Sequence, residues 1–180
     1  MQVDSGVTAS DAMRLLMETV MHTVRRKPLN PPDLPDTLSE GHSQAVLVQG
    51  GARVLLSSQA GIDTEGQLAG PDLAEQTAAA LDNIERLLSD LGGDLPQVVM
   101  LRIYLAEFAR YDQHVVMKAL KRRFPIAPPA ATWLIVYGLA EPEWLIAIEA
   151  EAVLPEFVSD NQVVAMQEVL AAADDAAVRS

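Results

Sequence analysis

The stretch WLIAIEAEAV, residues 144–153, sets two carboxylates one residue apart, at Glu149 and Glu151. Its apolar, alternating character reads as a strand. Side chains alternate across a strand, so Leu145, Ala147, Glu149, Glu151 and Val153 share one face, with neighbours on it about 7 Å apart. If that face is partly buried, repulsion and desolvation raise one carboxyl pKa, giving an acid beside a base. If it is a wet edge, both are solvated carboxylates. Arg102, the only charge in the apolar run VVMLRIYL (residues 98–105), is the cation best placed to hold an acidic ligand. Pairing with Glu149 or Glu151 is the reading preferred for it. His42 titrates near neutral pH and can act as a base or donate to a ligand carbonyl, although a plain turn histidine has the same sequence setting. His22 and His114 fall on the polar faces of their helices, and the three histidines lack metal-ligand spacing. Tyr104 and Trp133 are core aromatics unless a pocket opens beside them; an aromatic at 133 would then suit a flatter, less polar ligand.

Composition narrows the classes of function. A chain of 180 residues with 49% apolar content is enough for one domain with a substantial core. The net charge of −12 argues against nucleic acid and anionic membranes, both of which need concentrated positive charge. No cysteine is present, which removes disulfides, thiolate nucleophiles and cysteine-based zinc sites. No secretory signal pattern and no apolar run of membrane-spanning length is visible, so a soluble, cytoplasmic protein is expected.

The elements that must position these groups follow from periodicity. Residues 10–26 carry a stripe of Met13, Leu16, Met17, Val20, Met21 and Val24 at helical spacing, closed by Arg25 and Arg26. The proline-rich KPLNPPDLPDT then reads as an extended connector. Residues 44–49 and 53–59, split by Gly50-Gly51-Ala52, read as a β-hairpin. Pro71 and Asp72 open a helix whose Leu73, Thr77, Leu81, Ile84, Leu88 and Leu91 keep the 3.6 period until Gly92-Gly93. The run at 98–105 reads as a strand buried on both faces apart from Arg102. A second helix, 109–123, turns Tyr111, Val115, Ala119 and Leu120 inward. Strands at 130–137 and 144–153 and a further helix around 160–173 complete an α+β arrangement, a mixed sheet covered by helices.

Taken in order, GHSQAV, VLLSSQAGID, AEQTAAALDNIERLLSDLGG, VVMLRIYLAEFARYDQ, APPAAT and IAIEAEAVLP resemble the Rid (reactive intermediate deaminase, YjgF-type) superfamily over residues 41–155. The resemblance implies a chorismate-mutase-like fold, a mixed six-stranded sheet backed by two helices. It also implies a homotrimer with intersubunit pockets, no metal and no organic cofactor, and a small-molecule substrate: an imine or enamine hydrolysed to a carbonyl compound and ammonia. Residues 1–40 and 156–180 then stand outside the family domain, as an N-terminal helix with its connector and a C-terminal helical tail. The methionine-rich stripe of the first must bury somewhere, on this chain, on a neighbouring subunit or on a protein partner.

Carried over residue by residue, the resemblance puts Ala131 where active deaminases have the arginine that holds the substrate carboxylate. A methyl group cannot replace a bidentate guanidinium. It assigns Glu149 to the family glutamate and His42 to a tyrosine position. Ser57, Ser58 and Gln59 form the backbone cradle, and Thr132 and Trp133 follow Ala131 into the cleft. Glu151 stands where the family has an apolar residue. The expectation is a Rid-type enzyme acting hydrolytically on a nitrogen-containing metabolite other than 2-aminoacrylate, since its carboxylate clamp is missing, or else a non-catalytic trimer that binds a metabolite or partner.

Overall fold

Asp72 and Gly92 bracket the longest helix of the computed structural model, which describes residues 24–155. The Asp72 carboxylate accepts from the Glu75 backbone N–H at 2.9 Å, satisfying one of the donors a helix start leaves open. Gly92 follows with φ at 73°, a conformation glycine adopts without steric cost. In chain order the strands are β1 (Arg25–Leu29), β2 (Ala45–Gln49), β3 (Ala52–Ala60), β4 (Val98–Ala106), β5 (Ala130–Val136) and β6 (Ile146–Leu154). Helix α1 (Leu73–Asp90) lies between β3 and β4, and α2 (Gln113–Arg123) between β4 and β5. Residues 25–49 and 53–154 form one compact unit. Among the described residues no helix is long and apolar enough to cross a membrane.

Four strands make the main sheet, in the order β3-β6-β4-β5. The central β4 runs parallel to β5 and antiparallel to β6. Leu101, Ile103 and Leu105 of β4 and Ile146, Ile148, Ala150 and Ala152 of β6 turn to one face and pack with Leu81, Ile84 and Leu88 of α1 and Val116 and Leu120 of α2. The opposite face carries Met100, Arg102 and Tyr104, all partly exposed. So β4 is buried on one face only, not on both as its apolar run suggests.

Other expectations are corrected here. Arg25 and Arg26, read as a helix end, belong to β1, which pairs antiparallel with β2 in a separate two-stranded sheet. Pro28 is tolerated in β1, at the margin of a two-stranded ribbon, because an edge residue need not donate to a ladder. The hairpin expected between residues 44–49 and 53–59 is replaced by these partners: β2 takes β1, and β3 joins β6. The six strands thus divide four and two. The second helix begins at Gln113, after a short 3-10 turn at Glu107–Ala109, which leaves Tyr111 85% exposed rather than inward. Residues 10–23 of the first expected helix and the helix expected at 160–173 lie outside the described residues.

Gln76 ties the helical layer to the sheet. It is fully buried, donates to the carbonyls of Gly70 (3.1 Å) and Glu143 (3.0 Å), and accepts from the Leu145 N–H (2.8 Å) where the chain enters β6. Gly61 passes so close that a Cβ there would stand 2.4 Å from the Gln76 Cα. Replacing the amide with an isosteric apolar group strands three backbone groups away from water. Gln76→Leu is expected to lose roughly 2–4 kcal/mol of stability in urea unfolding; a change within a few tenths would contradict the assigned role.

Candidate functional site

Strand register builds the charged centre. Arg102 on β4 stands opposite Glu149 on β6, and Met100 opposite Glu151. Side chains of directly paired residues share a face, and diagonal neighbours come within reach of long side chains. Arg102 reaches diagonally, donating from Nη2 to Glu151 Oε1 at 2.8 Å, while its Nη1 lies 3.8 Å from Glu149 Oε2. From β3, Arg53 donates through Nε (3.1 Å) and Nη2 to the other Glu151 oxygen. Tyr104 donates its hydroxyl to Glu149 Oε1 at 3.1 Å. One carboxylate is therefore shared by two guanidinium groups, and the other rests on a phenol and the flank of Arg102.

The electrostatics follow this wiring. The Arg102 hydrogen bond, reinforced by Arg53, holds the Glu151 carboxyl below its ordinary range despite partial desolvation. The expectation that mutual repulsion raises a pKa in this pair fails for Glu151, because Arg102 sits between the two carboxylates. Desolvation and the bond to Glu149 push the Tyr104 phenol upward, so it stays protonated as the donor. Glu149 remains about a third exposed, with its side chain on the open face.

The remaining candidates distribute by strand parity. Thr132 pairs with Arg102 and shares its face. Ala131 and Trp133 pair with Leu101 and Ile103 and pack against the helix-side core, with the Trp133 Nε1 buried and lacking an acceptor. The three residues expected to line one cleft are thus split between two faces. Along β3, Arg53 points to Glu151, so Ser57 and Gln59 alternate onto that face and Ser58 onto the other. The Gln59 amide donates back to the Ser57 carbonyl at 3.0 Å.

His42 lies elsewhere. Ser43 bridges to Ala130 on the outer side of β5, donating its N–H to Pro129 O (2.8 Å) and its hydroxyl to Pro128 O (2.7 Å). His42 is thereby three strand spacings, about 14 Å, from the β6 carboxylates of the same chain. It is buried, its Nδ1 has no partner, and desolvation lowers its pKa against the opposing pull of Glu40, which keeps the imidazole neutral at pH 7. His114 is exposed and borders a groove of about 410 Å³ between α1 and α2, lined by Ala74, Ala78, Ala119, Lys118 and Arg122. This groove lies on the helical side, away from the carboxylates. Sequence reading passed over two groups in particular: Arg53, the second guanidinium on Glu151, and Gln76. Arg53 is the charged residue at the start of an apolar strand, but only nonlocal pairing shows whom it meets.

Comparison with known proteins sets this geometry in context. The family model described as Endoribonuclease L-PSP matches residues 36–154. The 3-aminoacrylate deaminase RutC of Acinetobacter baylyi is 33% identical over 81 residues, 45% of this chain and 62% of that protein. The chain thus matches less than two thirds of this relative's length. Among solved structures, a conserved Rid-family protein, YyfB, from Yersinia pestis superposes with a TM-score of 0.68 at 30% identity, covering 72% of this chain and 98% of the other. A member of the YjgF/YER057c/UK114 family from Mycobacterium tuberculosis gives 0.50 at 28% identity, covering 72% and 100%.

A carboxyl whose folded pKa is depressed contributes stability that is complete above its unfolded value and is lost as pH falls through the folded one. The stability gap between wild type and Glu151→Gln is therefore expected to be level from neutral pH down to about 5 and to close below the ordinary value of 4.5. Urea midpoints measured across that range check it, and a gap unchanged by acid would contradict it.

Proposed function

The chain belongs to the endoribonuclease L-PSP family, which includes the Rid proteins, and from that premise we propose that it hydrolyses an imine or enamine of a small, nitrogen-containing metabolite that lacks a carboxylate. The single observation that carries the reading is the setting of Glu149: a carboxylate about a third exposed on the charged sheet face, oriented by Tyr104 and flanked by a guanidinium already bound to Glu151. Such a carboxylate can take a proton from water as the water oxygen adds to the C=N carbon. Returning that proton to nitrogen gives a carbinolamine, and moving the hydroxyl proton to nitrogen then breaks the C–N bond, leaving a carbonyl compound and an amine or ammonia; an enamine enters the same path once its β-carbon is protonated.

The relative's name, 3-aminoacrylate deaminase, supports enamine chemistry in kind. Its named substrate is an acid, and this chain has Ala131 where the family resemblance places the carboxylate-binding arginine. Losing a charge-assisted clamp costs far more than losing a neutral contact. The substrate is accordingly an uncharged imine, small or cyclic, and 2-aminoacrylate is a poor one. His42 takes part only from a neighbouring copy, because it is too far from Glu149 within one chain, whereas the Ser57–Gln59 backbone lies on β3, the strand beside β6. A homotrimer with pockets between subunits meets that requirement. The roles would be water placement by Glu149, proton relay by His42 and retention of the ligand carbonyl by the Ser57–Gln59 backbone. A net charge of −12 speaks against RNA as substrate. A cytoplasmic location and the absence of any cofactor belong to the same reading.

A second reading, a non-catalytic assembly that binds a metabolite or protein, is favoured by one observation. Phe108, Tyr111 and Tyr137 are each more than four-fifths exposed, and Phe108 and Tyr137 sit just beyond the paired ends of β4 and β5. Exposed aromatics that adjoin one another, as at the neighbouring ends of β4 and β5, suit a contact surface.

Turnover separates the two. Freshly generated 2-iminopropionate and an uncharged cyclic imine of similar size are compared with wild type and Glu149→Gln. The uncharged imine is expected to be hydrolysed, with kcat falling on the order of 10²–10⁴-fold in Glu149→Gln while ligand binding holds. Efficient hydrolysis of 2-iminopropionate would sink the substrate class, and full activity in Glu149→Gln would sink the catalytic role.

A further inference from the structure

We infer that Glu151 is a built-in occupant of a two-arginine carboxylate site, and that by filling it the side chain closes this sheet face to small organic acids. The site is defined by donors from two different strands. Arg53 offers Nε and Nη2 side by side to Oε2, and Arg102 offers Nη2 to Oε1 at 2.8 Å. Each oxygen of one carboxylate is thus held by a separate guanidinium, the arrangement expected of a receptor for an acid. Burial agrees with that assignment. The Glu151 side chain is 14% exposed, whereas Arg53 and Arg102 are 64% and 39% exposed, so the cations lean in from the open side over an acceptor set deeper.

Glu151 outcompetes a free acid because it is tethered. A carboxylate carried on its own strand meets the arginines at an effective concentration that dissolved anions reach only in the millimolar range or above. It also cancels the local positive charge that would draw an acidic ligand to the face. Glu149 cannot serve as the same plug, since its Oε1 is engaged by Tyr104 and its Oε2 lies 3.8 Å from Arg102. Specificity at this face is therefore set by a residue that makes no contact with the reacting atoms. The inference goes beyond the proposed reaction and stands whether or not an imine is turned over.

Truncation opens the site by a known shape. Glu151→Ala removes one methylene carbon and a carboxylate, the heavy atoms of an acetate ion. Unfolding midpoints of the full-length wild type, Glu151→Ala and Glu151→Ala/Arg102→Met are compared in sodium acetate and in sodium chloride of equal ionic strength. Glu151→Ala is expected to unfold earlier than wild type in chloride and to recover saturably as acetate rises, while wild type and the double variant show no acetate-specific shift. If Glu151→Ala does not fold in chloride, refolding yield becomes the readout, with recovery in acetate supporting the site. An acetate response no larger than that of wild type overturns the inference. So does an equal response in the double variant, or a chain that stays unfolded in both salts. Turnover is not measured at any step, so the outcome is independent of the proposed reaction.

Discussion

The pairing of β4 with β6 is the constraint from which the rest follows. Placing Arg102 opposite Glu149 commits Leu101, Ile103 and Leu105 to the helices together with Ile146, Ile148 and Ala150. A slip of one residue would turn one strand over, driving either Arg102 of β4 or both glutamates of β6 into that core and that strand's aliphatic residues out to water. The apolar face therefore fixes the register, and the register assembles the charged face. No separate device is needed to bring Arg102, Glu149, Glu151 and Tyr104 together.

That assembly has a chemical bias. Both guanidinium groups described on this face are committed to Glu151, and the position that the family resemblance assigns to a carboxylate clamp is Ala131, whose methyl packs towards the helices. Glu149 keeps its carboxylate about a third exposed and oriented by a phenol. The face thus offers a base without offering a counter-charge. On the proposed reading, ligand selection rests on shape and neutral polar contacts, which suits an uncharged imine better than an amino-acid fragment.

Much of this was legible in the sequence where the signal is local. Helix α1 shows in its repeat and in its Asp72 and Gly92 boundaries, and β4 and β6 show as apolar runs. Parity along β6 put Glu149 and Glu151 on one face without any structure. What failed was nonlocal. The glycine pair at 50–51 suggests that β2 and β3 pair with each other, yet β2 finds β1, across the proline-rich connector, and β3 finds β6. Arg25 and Arg26 look like a helix end because basic residues serve that role as readily as they serve a strand. Along APPAATWLIVYG, alternation separates Ala131 and Trp133 from Thr132 but does not say which set faces the helices; only pairing with Leu101 and Ile103 decides that. Nor could the sequence show that Arg53 would share Glu151 with Arg102.

Among the described residues, no cation on this face is available to an acid. Titration of the wild-type protein with pyruvate at constant ionic strength, followed through the ¹⁵N side-chain resonances of Arg53 and Arg102, tests it most directly. Neither guanidinium is expected to show a saturable shift. Saturable perturbation of both resonances, with Glu151 released from them, would contradict it.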